Sequence, residues 1–228
     1  MKYNKRMNND FSDKVTLAGS DDKTKLTDGS LSFLCDFVRM KPRVRTGRLA
    51  HEMLVKAARI KQSIGAVPTA VDATAGLGED SLILAAAGFN VTMFEREPVI
   101  AEALRKALKE ASSDPELSEI TARMTLIEGD SIQGLRTLGF SPDIVFLDPM
   151  FPRRVKSGLV KKKLQLLQKI EKPCEDEEEL LASAFAANPQ KIIIKRPVKG
   201  PFLAGMKPAY SLTGKTIRYD IIVNAKRR

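Results

Sequence analysis

From Thr69 onward, short apolar runs alternate with helical patterns, and this alternation constrains the fold more than any other feature of the sequence. The apolar runs are TAVDAT, NVTMFE, RMTLIEGD, DIVFLD and KIIIKRP. The helical patterns between them are EDSLILAAAG, PVIAEALRKALKEA, SIQGLRTL, LVKKKLQLLQKI and DEEELLASAFAA. Strands that alternate with helices predict a mostly parallel, Rossmann-like α/β sheet with helices on both faces. PAYSLTG and KTIRYDIIV then follow each other directly, which predicts a C-terminal antiparallel β-hairpin.

The chain before this alternation has a different character. KVTLAG and SLSFLCDFV have the pattern of short strands, and the stretch RTGRLAHEMLVKAARIK predicts one basic helix between Arg43 and Lys61. Residues before about Ser30 have the polar composition that is typical of disordered segments. We therefore predict an N-terminal extension over residues 1–60, with a short β element and a basic helix, and a main domain over residues 61–228.

Composition limits the chemistry and the partners. The sequence has too few potential ligands for a zinc site, since it contains two distant cysteines, Cys35 and Cys174, and one histidine, His51. We therefore predict no metal. Free thiols, no apolar run long enough to cross a bilayer and no secretory signal predict a cytoplasmic protein without a membrane partner. The formal net charge of +10 favours a polyanionic partner, nucleic acid before membrane, with solubility as the alternative explanation. The sequence does not specify an oligomeric state.

A glycine loop, VDATAGLGEDS, joins the first run to the first helix. Gly76 and Gly78 permit tight turning and close approach of the backbone to a ligand, which favours an adenosine-type cofactor at the strand ends. A dinucleotide fingerprint would place a third glycine where Ser81 stands. Asp72 is better suited to the cationic amino-acid tail of a cofactor than to a pyrophosphate, because a carboxylate repels phosphates. The alternative is an ordinary turn between strand and helix.

Two further acids follow the next strand patterns. Glu95 ends the second run, where a carboxylate accepts hydrogen bonds from both hydroxyls of a ribose. Both NAD and S-adenosylmethionine (SAM) offer that diol, so Glu95 does not distinguish them. Asp130, in GDS, is placed to bind an adenine amino group. Helix capping is the alternative role for each acid.

The run DIVFLD ends at Asp148, at the edge of the sheet where α/β proteins bind ligands. Pro149 donates no hydrogen bond, so Asp148 and nearby carbonyls present acceptors to an amino group. Phe151 offers a stacking face for a planar base. Together these three residues predict a pocket that positions the exocyclic amine of a nucleobase for catalysis. The alternative for Phe151 is core packing.

A basic run follows this pocket directly. Its charges are placed to bind phosphates around the pocket, with a solvated helix face as the alternative. The residues are Arg153, Arg154, Lys156, Lys161, Lys162 and Lys163. Lys195 and Arg196, at the end of IIIKRP, are further candidates for contacts with RNA or with the edge of the site.

The motifs DATAGLGEDSLILAAAG, FEREPV, LDPMFP, SGLVKKK and IKRP together resemble the bacterial small-subunit ribosomal RNA guanine-N2 methyltransferase J family. The resemblance extends from about Thr69 to Val223. It implies a class I SAM-dependent methyltransferase fold and methyl transfer to N2 of a guanosine near the 3′ end of 16S rRNA. It also implies cofactor contacts at Glu79, Asp80, Glu95, Arg96, Asp130, Ser131 and Asp148.

We therefore predict a SAM-dependent rRNA methyltransferase that acts on 16S rRNA or on the 30S subunit. In this prediction the cofactor is held by Asp72, Gly76, Gly78, Asp80, Glu95 and Asp130, and Asp148 lies between cofactor and target amine. Three alternatives remain open. They are an amino methyltransferase acting on adenine or on a protein amide, a NAD-dependent oxidoreductase, and an RNA-binding protein without activity. Asp72 and the missing third glycine count against the oxidoreductase.

Overall fold

The computed structural model describes residues 15–18, 25–60, 66–149 and 176–227. Its first part is a small antiparallel sheet of three strands in the order β1-β2-β3. The strands are β1 (Thr16–Ala18), β2 (Lys25–Thr27) and β3 (Ser32–Leu34). Leu26 on β2 and Phe37, just after β3, are buried in the same core as the main domain. The N-terminal β element therefore shares one hydrophobic core with the main domain.

The stretch after β3 is divided among short helices, and the prediction of one helix from Arg43 to Lys61 is wrong. A 3₁₀ turn (Val38–Met40) leads into α1 (Lys41–Val44), α2 (Thr46–Leu49) and α3 (Met53–Ala57). Arg45 and Glu52 both have extended backbones, which interrupt the helical hydrogen bonds. Across the breaks, the Arg43 guanidinium donates two hydrogen bonds of 2.8 Å to the Glu52 carboxylate. Tertiary contacts therefore override the helical periodicity of this segment.

The main sheet has seven strands in the order β6-β5-β4-β7-β8-β10-β9. All neighbouring pairs are parallel except those of β10, which is antiparallel to both β8 and β9. This arrangement confirms the mostly parallel Rossmann-like sheet with a C-terminal antiparallel hairpin. The strands are β4 (Thr69–Asp72), β5 (Asn90–Glu95), β6 (Met124–Glu128), β7 (Ile144–Leu147), β8 (Lys191–Pro197), β9 (Tyr210–Thr213) and β10 (Ile217–Val223).

Within the described part of the chain, five further helices connect these strands, and local signals explain where several of them begin. They are α4 (Glu79–Ala86), α5 (Pro98–Ser112), α6 (Ser118–Thr121), α7 (Ser131–Arg136) and α8 (Glu177–Ala186). Proline occupies the first turn of α5, and three glutamates occupy the first turn of α8, where they favour the helix dipole. Short 3₁₀ turns cover Leu203–Gly205 and Ala225–Arg227. The helix predicted from LVKKKLQLLQKI lies outside the described residues.

Both faces of the sheet are covered by apolar side chains. Along β7, Ile144 and Phe146 belong to one core with α4 and α5, whereas Val145 and Leu147 belong to a second core with α7 and α8. A strand that is buried on both faces reads as a continuous apolar run, which is the pattern of IVFL. The sheet is therefore a rigid support for the loops at its carboxyl edge. Among the described residues, no helix has the length and apolar character that a membrane span requires.

A buried arginine fixes the turn that follows β8. The Nε of Arg218 on β10 donates to Asp220, and its Nη1 donates to the carbonyls of Pro197, Val198 and Gly200 at 3.0, 2.7 and 3.0 Å. The guanidinium also lies over the Phe202 ring, 5.0 Å from its centre. The Nη1 group of this one side chain thus holds the carboxyl end of β8 and the following turn in place, while Nε binds Asp220.

Candidate cofactor cleft and reaction centre

A cleft opens at the carboxyl ends of β4, β5, β6 and β7, on both sides of the point where the strand order reverses. In α/β sheets this switch point is where ligands bind. The cleft contains about 660 Å³ of empty space including its open mouth. It is lined by Ala73, Thr74, Phe94, Glu95, Arg96, Gly129, Asp130, Ser131, Ile132, Asp148, Pro149, Asp176 and Leu180. Six predicted site residues (Glu95, Arg96, Asp130, Ser131, Asp148 and Pro149) are thus brought together.

The two glycines of the loop have different surroundings. Gly76 and Gly78 both have positive φ values, +53° and +73°. A Cβ atom at Gly78 would lie 2.7 Å from Leu104 Cδ1 and 3.1 Å from Phe37 Cζ, whereas one at Gly76 would meet no atom within 4 Å. Gly78 therefore lets the loop pack closely against the core. Gly76 directs its backbone N–H toward Glu95.

Glu95 ends β5 with its carboxylate almost fully buried, 6% exposed. One oxygen accepts a hydrogen bond from the Gly76 N–H and the other from the Glu97 N–H, both at 2.8 Å. Burial raises the pKa of Glu95, and these two hydrogen bonds act in the opposite direction. A carboxylate has about four lone-pair positions, so two such bonds are compatible with further donors such as ribose hydroxyls.

Asp130 lies between β6 and α7 and has a structural role as well as a place in the cleft. Its Oδ1 accepts hydrogen bonds from the backbone N–H groups of Ile132 and Gln133, at 2.8 and 3.1 Å. This is an N-cap, so the alternative role that the sequence left open for Asp130 is confirmed. Arg96, beside Glu95, is half exposed at the cleft wall.

Asp72 lies beneath the glycine loop and is not part of the cleft wall. Its carboxylate, 1% exposed, accepts hydrogen bonds from the Ser81 hydroxyl at 2.5 Å and from the Thr74 N–H at 3.0 Å. Burial raises the pKa of Asp72 to about 7, and the nearby carboxylates of Asp80 and Asp148 add to the rise. The direct cofactor contact predicted for Asp72 does not fit this position, because the side chain is enclosed by the loop and by α4.

Asp148, which follows β7, forms a linked group with Asp80 and Lys195. The Lys195 Nζ lies 2.9 Å from Oδ2 of Asp148 and 2.5 Å from Oδ2 of Asp80, near the start of α4. The Asp148 N–H donates to the Thr74 hydroxyl at 2.7 Å. Burial alone would lower the pKa of Lys195, but the two carboxylates outweigh it and raise that pKa.

Several predicted contacts lie away from the cleft. Glu79 pairs with Arg39, and the Arg39 guanidinium stacks over Phe33. The side chain of Arg196 is 0% exposed, and it donates to Glu177 at 3.3 Å and to the Pro201 carbonyl at 2.9 Å. The RNA contact predicted for Arg196 is therefore wrong, since a buried guanidinium cannot reach a phosphate. Lys195 is directed at Asp80 and Asp148, which fits the edge of the site.

The remaining predicted residues cannot be placed. Phe151 and the basic run of Arg153, Arg154, Lys156, Lys161, Lys162 and Lys163 lie outside the described residues. Among the described residues there is no group of histidine, cysteine, aspartate and glutamate side chains arranged to hold a metal ion.

The structure also adds residues that the sequence interpretation missed. Thr74 anchors the backbone of Asp148, and Ser81 bonds to Asp72. Tyr219 lies directly opposite Lys195 in the β8–β10 register, and burial raises its pKa. The hydroxyls of Thr74 and Ser81, beside the two glycines, were a visible signal in the loop. Tyr219 had none, because its position depends on strand register.

Comparisons with known proteins agree with this geometry. A family described as "Putative SAM-dependent methyltransferase" matches residues 4–224. Ribosomal RNA small subunit methyltransferase J from Pseudomonas aeruginosa is 43% identical over 180 residues, covering 78% of this chain and 68% of that protein. The protein of the same name from Thioalkalivibrio sulfidiphilus is 40% identical over 192 residues, covering 82% and 74%.

A solved structure extends the agreement to three dimensions. The crystal structure of a SAM-dependent methyltransferase from Neisseria gonorrhoeae aligns with a TM-score of 0.67 and 32% identity, over 89% of this chain and 79% of that one. The cleft at the switch point, its acidic wall and these matches have one explanation. The chain belongs to the SAM-dependent methyltransferase family, together with the ribosomal RNA small subunit methyltransferases J.

Proposed function

We propose that this enzyme transfers a methyl group from SAM to the exocyclic N2 of a guanosine near the 3′ end of 16S rRNA. The observation that carries the proposal is the position of Asp148, which lines the cofactor cleft and is paired with Lys195 at its edge. The carboxylate thus lies in the wall of the same cleft that carries Glu95 and Asp130. A nucleobase amine that enters beside Asp148 would reach the cofactor.

The residues of the cleft fit SAM. Glu95 is placed to accept hydrogen bonds from the ribose hydroxyls, and Asp130, Ser131 and Ile132 line the side suited to adenine. The carboxylates of Glu95, Asp130 and Asp148 make the cleft acidic, which favours a cationic cofactor over a diphosphate. SAM supplies an electrophilic methyl group on a sulfonium sulfur. Gly76 and Gly78 shape the loop, and Asp80 connects it to Lys195.

Asp148 and Pro149 act on the target amine in this proposal. The carboxylate and nearby carbonyls accept hydrogen bonds from the amine and hold it in line with the methyl group, which is catalysis by positioning. Pro149 lines the cleft without an N–H that would compete for those acceptors. Phe151 stacks on the base once it has left its neighbours, a step that costs a few kcal/mol. The charges from Arg153 to Lys163 bind the phosphates around it.

The choice of RNA as substrate has independent support. Relatives that are 40–43% identical over most of this chain are named for the RNA of the small ribosomal subunit. The net charge of +10 also suits a polyanion. Either free 16S rRNA or the 30S subunit serves as substrate in this proposal, and we infer a cytoplasmic location. We further propose that residues 1–60 form an N-terminal extension and residues 61–228 the methyltransferase domain.

A deletion strain tests the function directly. Mapping 16S rRNA methylation should show one unmodified N2 position that the wild-type gene restores and Asp148→Ala does not. Asp114→Ala is the matched control, since Asp114 pairs with Lys41 and is not part of the cleft lining. Transfer of labelled methyl from SAM should occur to rRNA or 30S subunits. Label found only in DNA or protein would refute the proposed substrate.

A further inference from the structure

The strongest unexplained feature of the site is a lysine enclosed by two carboxylates. Lys195 lies on a central strand, β8, and its side chain is largely shielded from solvent. Its Nζ is 2.5 Å from Asp80 and 2.9 Å from Asp148, so a single ammonium joins the start of α4 to the end of β7. Asp80 lies in the first turn of α4, just after the glycine loop, and Asp148 lies at the proposed position of the target amine.

We propose that Lys195 is a positioning residue for methyl transfer, which holds the Asp148 carboxylate in place and connects it to Asp80. The inference rests on the proposed function, because it assigns Asp148 to the reacting amine. Without Lys195, the Asp148 carboxylate loses this ion pair, and two like charges face each other across the former position of the ammonium. An acceptor that turns away from the amine no longer orients it.

The surroundings of Lys195 favour this role over ordinary packing. The Asp148 backbone is already fixed by its N–H bond to Thr74, so the ion pair with Lys195 acts on the carboxylate itself. Behind Lys195, the buried Tyr219 ring packs near Phe146, with 6.5 Å between ring centres. Tyr219 lies opposite Lys195 in the β8–β10 register, and the Lys195 ammonium is directed at the two carboxylates.

The charge of Lys195 has a second effect that binding measurements can detect. The two carboxylates and one ammonium carry a formal charge of −1 together, which becomes −2 when the ammonium is removed. SAM carries a sulfonium charge that S-adenosylhomocysteine (SAH) lacks. Loss of Lys195 should therefore increase the preference for SAM over SAH, by at least about fivefold if the sulfonium lies beside Asp148.

Calorimetric titration of the purified full chain with SAM and with SAH, in the absence of RNA, tests this effect. Lys195→Met should shift the ratio of the two dissociation constants toward SAM, and Lys195→Arg, which keeps the charge, should leave it within about twofold of wild type. Lys191→Met is the matched control on the same strand, because Lys191 bonds to backbone carbonyls of Ala57 and Arg59. Equal weakening of SAM and SAH by Lys195→Met would overturn the proposal.

A double-mutant cycle tests whether Lys195 acts through Asp148. Lys195→Met should lower kcat on rRNA or 30S subunits at least about tenfold, with less effect on KM for RNA. In an Asp148→Asn background the same change should cost less than about twofold, because its target is already altered. Independent, multiplying losses would contradict the proposal.

A second variant and the activity of the wild type separate failure of folding, failure of the proposed function and failure of the proposed role of Lys195. If Lys195→Met does not fold, Lys195→Gln takes its place in both experiments, since it removes the charge and keeps a donor. A wild-type enzyme that fails to methylate rRNA would refute the proposed substrate, whereas an active wild type with an unchanged SAM to SAH ratio in the variant would refute only the role of Lys195.

Discussion

At the scale of single residues, Gly76 and Gly78 show that a glycine motif combines separate requirements. Both have left-handed backbone angles, which cost a non-glycine residue about 1–2 kcal/mol. Only Gly78 faces side chains that leave no room for a Cβ atom, those of Leu104 and Phe37. The first glycine is therefore needed for the path of the chain, and the second also for packing.

This difference predicts unequal effects of the same substitution. Gly76→Ala should lower the free energy of unfolding by about 1 kcal/mol, the cost of the backbone angle alone. Gly78→Ala should lower it by about 3 kcal/mol, because overpacking against Leu104 is added. Urea denaturation of both variants beside the wild type measures the two values. Equal losses would show that the contact of Gly78 with the core relaxes without cost.

Asp72 makes a second prediction at this scale, on the dependence of stability on pH. Its pKa is about 7 in the folded protein, against about 3.9 in an unfolded chain. Between these values the folded state binds more protons than the unfolded state, so the contribution of Asp72 to stability is greatest below about pH 4. It decreases as the pH rises, and the decrease is complete a little above pH 7.

Asp72→Asn removes this titration while it keeps an acceptor for the Thr74 N–H. The free energy of unfolding of the wild type, relative to the variant, should fall between pH 5 and pH 8 by at most about 3 kcal/mol. Denaturation curves at several pH values give the difference. Parallel pH profiles of the two proteins would show that Asp72 stays ionised when buried.

At the scale of elements, the sequence predicts what depends on local pattern. The runs from TAVDAT to KTIRYDIIV became strands because continuous or alternating apolar residues fix both length and face. It did not predict that Lys195 meets Asp80, because that contact joins residues 115 positions apart through the packing of β8 and α4. The basic helix from Arg43 was predicted wrongly because the ion pair with Glu52 and burial of Leu54 override periodicity.

Phe37, between β3 and α1, packs beside Gly78 of the glycine loop. We therefore expect this segment to support the loop. Phe37, 2% exposed, is part of the same core as α4 and α5. Phe37→Ala should therefore lower the free energy of unfolding by about 3–5 kcal/mol and weaken SAH binding. Phe140→Ala is the matched control, because that ring is 44% exposed. Denaturation measures the free energy of unfolding, and calorimetry measures the SAH affinity. If a folded Phe37→Ala protein binds SAH as tightly as the wild type, Phe37 does not support the loop.

At the scale of the whole molecule, the distribution of charge distinguishes the binding of RNA from the binding of the cofactor. The chain carries a net charge of +10, whereas its cofactor cleft is lined by acids. RNA binding releases counterions from phosphates and weakens steeply with salt, but binding of a small cofactor does not. Raising potassium chloride from 50 to 200 mM should therefore raise the KM for rRNA at least about tenfold and change the dissociation constant of SAH less than about twofold. Steady-state kinetics and calorimetry give the two numbers, and a parallel response would contradict phosphate binding.

The hydrogen bonds from Arg218 to three backbone carbonyls restrict the movement of the turn after β8. If the turn after β8 moved away from the sheet, the buried Arg218 guanidinium would lose its hydrogen bonds to the carbonyls of Pro197, Val198 and Gly200. Leaving a buried charge without these acceptors is energetically costly. The turn, with Lys195 just before it, is therefore tied to the sheet through β10. A conformational change that admits the substrate or releases the product would therefore have to involve a part of the protein other than this turn.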